Sequence, residues 1–406
     1  IEGDQMKFVF ASDSFTGTLS SARIAEMLTA AAREFFPECE TDEIPVADGS
    51  LGTVDVVTNA LGGEKRTITV HNPFMEKISA AYGIYPIKND DGTTSKGAVI
   101  EMSAASGITL VPGDRLNPQH TTTYGTGELI RDALEQGCSR IMIALGGSAT
   151  NDAGIGTLRA LGVKFFDGDG RELGVEADDN PHPGGTGGDL PNIMSIDMSG
   201  LCPQIRETEI IVLCNVDNPL TGPDGAVFTF AKQKFSPDMD TDYRNEIISE
   251  LEAGMIHYSN VLNTTFGADP NSFPGAGAAG GLGATLCVAL GAKMSLGSEA
   301  ILSIIDIDSH LKGADLCITG EGRLDWQSFH GKTVAGIAHH CRENNVPLVA
   351  IVGTTGEGYE AAYELGVKLI LKTAGDGPAE KSMMNPEEYY MRTARSYFQA
   401  LKHENS

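Results

Sequence analysis

The residues that could do chemistry lie in short turns that follow apolar runs. The richest turn is in ITGEGRLDWQSFHGKT, Ile318–Thr333, which carries Glu321, Arg323, Asp325 and Lys332. Carboxylates and cations this close together suit proton transfer and the neutralisation of phosphate charge. The stretch ends in Gly-Lys-Thr and sits between an apolar run and the helix-like TVAGIAHHC, the setting of a phosphate-binding loop. That loop needs a glycine five residues before its Gly-Lys pair, and here the position is Trp326. The segment is therefore read as a longer substrate-and-phosphate loop.

Similar turns recur. Asp13 and Ser14 follow KFVFAS, and Asp48 follows EIPVA. GGSATND, after RIMIAL, presents Thr150, Asn151 and Asp152, and NVDNPL, after IIVLC, presents Asp217. Hydroxyl, amide and carboxylate groups in such turns suit a hydroxylated small molecule or a hydrated Mg2+. PGAGAAGGLG holds a formal Gly-x-Gly-x-x-Gly at Gly275, Gly277 and Gly280. No buried strand precedes it, which argues against a nicotinamide oxidoreductase. It does open a helix, so an anion-binding loop is expected. The histidines lack metal-ligand spacing, and no Gly-x-Ser-x-Gly nucleophile elbow is present.

Turns this far apart in sequence can share one place only if a scaffold gathers them. An open α/β sheet does so, because ligands bind beyond the carboxyl ends of its strands. Short apolar strands alternate with helices in the first and last thirds of the chain. Residues 21–35, for example, place Ile24, Met27, Leu28, Ala31 and Phe35 at helical spacing. Between about Glu64 and Met102 the pattern turns β-rich, with the turn KNDDGTT. The expected fold is α/β with two domains. Residues 6–63 and 292–375 form a discontinuous α/β domain, 64–291 form an inserted α/β domain, and 385–404 form a terminal helix. Asn385 and Pro386 start that helix.

Composition bounds the function. The net charge of −26 over 406 residues argues against nucleic acid or an anionic membrane as partner. Seven scattered cysteines form no Cys-x-x-Cys, so buried free thiols are expected. No run approaches the length of a membrane span, and the start lacks the architecture of a signal peptide. Residues 1–5 read as a remnant ahead of the first strand. The expected location is the cytoplasm, and the expected partner is a small-molecule substrate.

Taken in order, DSFTGTLS, PVADGSLGT, GGSATNDAGIG, NVDNPLTGP, PGAGAAGGLG and TGEGRLDWQSFHGKT resemble the bacterial glycerate kinase family of the non-P-loop type, over roughly Met6–Thr373. The resemblance implies ATP-dependent phosphorylation of D-glycerate, mainly to 2-phosphoglycerate. It also implies two α/β domains, one discontinuous, with the active site between them. The sequence departs from the family pattern at Thr16 (usually Lys), Ser50-Leu51 (usually Gly-Glu) and Ala153 (usually Gly). A changed hydroxy-acid substrate or a catalytically weakened ligand-binding relative is therefore the alternative.

Phosphoryl transfer needs positioning and charge neutralisation. Asp325 or Asp48 is expected to act as the base or as the carboxylate linked to Mg2+, and Lys332 and Arg323 to contact phosphate or the substrate carboxylate. Gly275, Gly277 and Gly280 belong to a loop expected to offer N–H groups to nucleotide phosphates. Asp13, Ser14, Thr150, Asn151, Asp152, Asp217 and Glu321 are the remaining binding candidates.

Overall fold

The structure, a computed structural model, describes residues 5–15, 17–176, 182–329, 332–375 and 379–404. Thr16 lies outside the described residues, as do His330 and Gly331. Lys332 and Thr333 remain from the Gly-Lys-Thr tail. The chain groups into two units, residues 1–48 with 297–406, and residues 49–296.

The first unit is built on a five-stranded parallel sheet. Its order is Val367–Lys372, Leu348–Val352, Leu316–Thr319, Lys7–Phe10, Glu40–Glu43. Phe8, Val9 and Phe10 pair in register with Leu316, Cys317 and Ile318. The strands 316–319 and 348–352 are buried throughout, as inner strands of a parallel sheet covered on both faces must be. Helix Ser21–Phe35 starts at the N-cap Ser20, whose hydroxyl accepts from the Arg23 N–H at 3.2 Å, and it buries Ile24, Met27, Leu28 and Ala31. Helix Pro386–Glu404 lies on it, burying Tyr390, Ala394 and Phe398 at a spacing of four residues. Arg395 pairs with Glu34 at 2.6 Å and Arg23 with Glu387 at 2.8 Å. The terminal helix, which the sequence reading set apart, is thus part of this unit's core.

The second unit has a six-stranded mixed sheet, in the order Lys293–Leu296, Glu209–Cys214, Cys138–Ala144, Thr94–Glu101, Lys77–Lys88, Glu64–His71. The first four strands of that order run parallel, and the last two add as antiparallel hairpins. This is the meander that the KNDDGTT turn signals. Helix Thr53–Ala60, expected in the first domain, packs on strands 77–88 and 94–101 of this unit. The Val54 N–H donates to Glu101 at 2.9 Å.

Another expectation shifts. The second strand, read as ending at Ala47, is Glu40–Glu43. The Ile44 N–H still donates to the Phe10 carbonyl at 2.9 Å, and the chain then leaves the ladder, with the Val46 N–H donating to the Ser21 hydroxyl at 2.9 Å. The long helix Thr241–Phe266 is capped by Asp240, which accepts from the N–H groups of Asp242 and Tyr243 at 3.0 Å, and it ends at Gly267 in the left-handed conformation.

Candidate active site

In the first unit, the parallel order places two acidic turns side by side beyond the carboxyl ends of strands 7–10 and 316–319. The Asp13 N–H donates to the Gly320 carbonyl at 2.9 Å. Gly320 is needed there, since a Cβ would lie 1.8 Å from the Ile351 carbonyl oxygen. The third turn is drawn in by Ser21. Its hydroxyl donates to the Ser12 carbonyl at 2.6 Å and accepts from Val46, so the chain reaches Asp48 next to Asp13. The loop after Glu321 is stitched to residues 353–357. Gly353 and Thr354 donate to the carbonyls of Glu321 and Gly322, Gly356 donates to Leu324, and Trp326 donates to Glu357. Arg323 and Leu324 pair in parallel with Thr354 and Thr355.

Asp13 accepts from the Ser14 N–H at 2.7 Å and from the Thr333 hydroxyl at 3.0 Å, the latter at the start of helix Thr333–Glu343. Burial, and then the charge of Asp48, push its carboxyl up to about 7 against these two hydrogen bonds, with Glu321 adding to the rise. Burial likewise pushes Glu321 up to about 7. Ser328 and the Lys332 ammonium oppose that shift, and Asp325 and Asp48 reinforce it. The Glu321 Oε1 is buried without a hydrogen-bond partner. Asp325 accepts from the Gln327 N–H at 3.0 Å and pairs with Arg323 at 3.2 Å, where Arg323 is mostly exposed. The first unit therefore brings together Asp13, Ser14, Asp48, Glu321, Asp325 and Lys332, with Arg323 on the surface beside them. Trp326, at the former phosphate-loop glycine position, is exposed.

The second unit gathers its own turns at the carboxyl ends of strands 138–144 and 209–214. Asp152 is fully buried, and its oxygens accept from the Thr123 N–H (2.7 Å), the Thr123 hydroxyl (2.8 Å), and the N–H groups of Gly154 (3.0 Å) and Gly156 (3.2 Å). Burial still raises its pKa, with those hydrogen bonds opposing. Its role is to hold the turn, and its oxygens are already engaged by the protein. Thr150 and Asn151 are also buried, but the Thr150 Oγ1 and both amide atoms of Asn151 have no partner among the described residues.

The loop with Gly275, Gly277 and Gly280 folds onto these turns. A Cβ at Gly280 would lie 2.0 Å from the Thr150 carbonyl oxygen, and one at Gly277 would lie 2.2 Å from that of Pro219. The N–H groups of Ala276, Gly277, Ala278 and Gly281 donate to protein carbonyls, so fewer remain for a ligand than the sequence reading expected. Ala153 and Ala279 have φ of +50° and +52°, a region where Cβ crowds the backbone. Asp217 is exposed at the end of its turn. Ser50 packs against Gly146, and Leu51 is exposed.

Sequence reasoning missed Lys234. It is buried in a short 3-10 turn, Ala231–Lys234, and its ammonium donates to the Ser148 hydroxyl at 2.9 Å and the Thr150 carbonyl at 2.6 Å. Its one trace in the sequence is a lysine directly before Phe235 in FTFAKQKF. Ser21 was missed too, because a serine one residue into a helix reads as part of the cap. A cavity of about 580 Å3 in this unit, lined by Ile205, Arg206, Phe266 and Lys293, opens at the amino ends of strands 209–214 and 293–296, away from the turns. Among the described residues, no group of three or more His, Cys, Asp or Glu is placed to hold a metal ion, and no helix is long and apolar enough to cross a membrane.

The sequence matches the glycerate kinase family over residues 8–402. It is 39% identical to a glycerate kinase of Bacillus subtilis (strain 168), over 98% of each chain. It is equally 39% identical to a glycerate 2-kinase of Escherichia coli (strain K12), over 90% of each. The crystal structure of a glycerate kinase 2 candidate from Salmonella typhimurium LT2 superposes with a TM-score of 0.79 at 34% identity, covering 99% of this chain and all of that one. A match over nearly the full length, joined to acidic turns at the strand ends, means that the chain belongs to the glycerate kinase family, whose members are small-molecule kinases.

Proposed function

We propose that this protein transfers the γ-phosphoryl group of ATP to D-glycerate and that the product is 2-phosphoglycerate. The observation that carries this reading is the half-buried carboxylate set Asp13, Asp48 and Glu321 beside Lys332, in a chain of this family. Glu321 is assigned as the proton acceptor. It is half-buried, its Oε1 is enclosed with no hydrogen-bond partner among the described residues, and its carboxyl sits near 7, where a general base is both ionised and basic enough to act. The substrate hydroxyl would give its proton to that oxygen as its own oxygen attacks the γ-phosphorus, while the bond from that phosphorus to the bridging oxygen breaks and ADP leaves. The sequence reading had left Asp325 and Asp48 as either the base or the carboxylate linked to Mg2+. Those two carboxylates are now assigned to hold Mg2+. The fit is reasonable, because Mg2+ takes one or two carboxylates and completes its shell with phosphate and water oxygens. When bound, Mg2+ supplies charge neutralisation at the phosphates. Lys332 would neutralise the transferring group, and Arg323, on the surface, would meet an incoming anion. Thr333 fixes the Asp13 carboxylate and so the spacing of the acids.

A changed hydroxy-acid substrate is the second reading, favoured by the exposed Leu51 where the family resemblance has an acid. Both readings are tested by ATP turnover across a panel of small hydroxy acids, with phosphorus NMR of the product. A 2-phosphoglycerate signal with D-glycerate as the preferred substrate supports the first reading. Preference for another acid supports the second. Absence of turnover with every acid, despite nucleotide binding, refutes both.

A further inference from the structure

We propose that Lys234, Asn151 and Thr150 form an enclosed oxyanion subsite in the second unit, which takes a carboxylate or phosphoryl group of the ligand. The identity of the ligands rests on the function proposed above; the subsite itself rests on geometry.

A buried lysine needs acceptors for its donors. Lys234 finds the Ser148 hydroxyl and the Thr150 carbonyl, which leaves its third N–H without an acceptor among the described residues. No carboxylate among the described residues pairs with it. The acid that favours its charged form is Asp152, whose oxygens already take four hydrogen bonds. Burial therefore lowers its pKa to about 7. A cation in this state is compensated by an incoming anion.

The turn it braces shows the same deficit. The carbonyls of Gly147, Ala149 and Thr150 are held by the Ile108 N–H, the Thr121 hydroxyl and Lys234. The neighbouring side chains are not satisfied. The Thr150 hydroxyl and both ends of the Asn151 amide are buried without partners. Buried polar side chains almost always have partners, and leaving one without any costs about 1–3 kcal/mol. Two consecutive unsatisfied residues next to an unpaired buried ammonium offer an N–H donor, a hydroxyl and a positive charge for ligand oxygens. That donor set matches carboxylate and phosphate, and it does not match an apolar or cationic ligand.

A test that a purely structural role would not satisfy uses Asn151→Leu, Thr150→Val and Lys234→Met in the full chain. Ligand-free melting is measured first. Affinities for D-glycerate and for Mg2+ with a non-hydrolysable ATP analogue are then measured separately by calorimetry. The subsite predicts that Asn151→Leu and Thr150→Val melt at or above the wild-type temperature, because each removes an unsatisfied polar group. It also predicts that affinity for one probe falls at least tenfold while the other stays within twofold. Loss confined to D-glycerate assigns the carboxylate, and loss confined to the nucleotide assigns a phosphate. Affinities for both probes within twofold of wild type in all folded variants would overturn the proposal. So would a lower melting temperature for Asn151→Leu and Thr150→Val with unchanged binding. If the wild-type protein binds neither probe, the kinase reading fails. The subsite is then decided by inorganic phosphate: binding that is lost in Thr150→Val supports it, and no binding refutes it.

Discussion

Two acids, one in each unit, have been pushed in the same direction by burial but differ in how their oxygens are used. Asp152 accepts four hydrogen bonds, two from the N–H groups of its own turn and two from Thr123, and so ties two segments together. Glu321 keeps an oxygen that nothing among the described residues meets, and other carboxylates stand near it. The difference shows that burial alone does not mark a catalytic acid. What marks it is unused hydrogen-bonding capacity held close to like charge, which a fold selected for stability alone would remove.

The sharpest way to break this comparison is to neutralise each acid. Glu321→Gln should lower kcat/KM by a hundredfold to ten-thousandfold in steady-state kinetics, the range expected for removing a general base. A loss below tenfold would assign the base elsewhere in the cluster. The same variant should gain stability, with a definite pH dependence. A carboxyl whose folded pKa is raised contributes its stability below the unfolded value, near 4.5, and loses it as pH rises through about 7. The Gln side chain stays neutral throughout. Urea unfolding should therefore find the two proteins equal at pH 4 and the variant ahead by about 1–3 kcal/mol at pH 8. Activity moves the other way, since the base works only when ionised, so the wild-type rate should climb as pH rises through 7.

Asp152→Ala should do the reverse and destabilise the fold by at least about 3 kcal/mol, because it strands the N–H groups of Thr123, Gly154 and Gly156 in the interior. Equilibrium unfolding within 1 kcal/mol of wild type would show that the turn does not depend on this acid. A smaller effect is expected one residue along. Ala153 holds a φ of +50°, and Ala153→Gly should raise stability by about 0.5–1 kcal/mol, read as a higher urea midpoint at unchanged slope. The smallest belongs to Arg323→Ala. Its exposed pair with Asp325 should change stability by less than about 0.5 kcal/mol, while a severalfold rise in KM at constant kcat would report its contact with an anionic ligand.

How much of this was legible in the sequence follows from how local each cause is. Asp13 and Glu321 could be brought together on paper because each ends an apolar run, and parallel strands present their carboxyl ends on one side. The formal Gly-x-Gly-x-x-Gly could be removed from the dinucleotide class because the preceding segment is not a strand. Lys234 could not be read, since the burial of a cation depends on which distant residues cover it. Nor could the fate of Asp152, which in sequence looks the same as a ligand-binding carboxylate until its hydrogen bonds are counted. Helix 53–60 was misgrouped for a similar reason. Its apolar stripe says that it packs, but the hairpin strands that receive it follow later in the chain. The strain at Ala153 was visible as an alanine where the resemblance has glycine, although its φ was not.

The pairing of Phe8 with Leu316 also sets a timetable for folding. The Lys7 N–H bonds to an aspartate 308 residues further along the chain. At about 5–20 residues per second during synthesis, the opening strand waits roughly 15–60 s for its neighbour. In that interval the second unit, whose strands are all continuous within residues 49–296, has everything it needs to fold. Until then Phe8, Val9 and Phe10, fully buried in the finished protein, have only Glu40–Glu43 to pair with. The discontinuous unit is thus the last to form, and the growing chain brings Asp13, Asp48 and Glu321 together only after all of the inserted unit has been made.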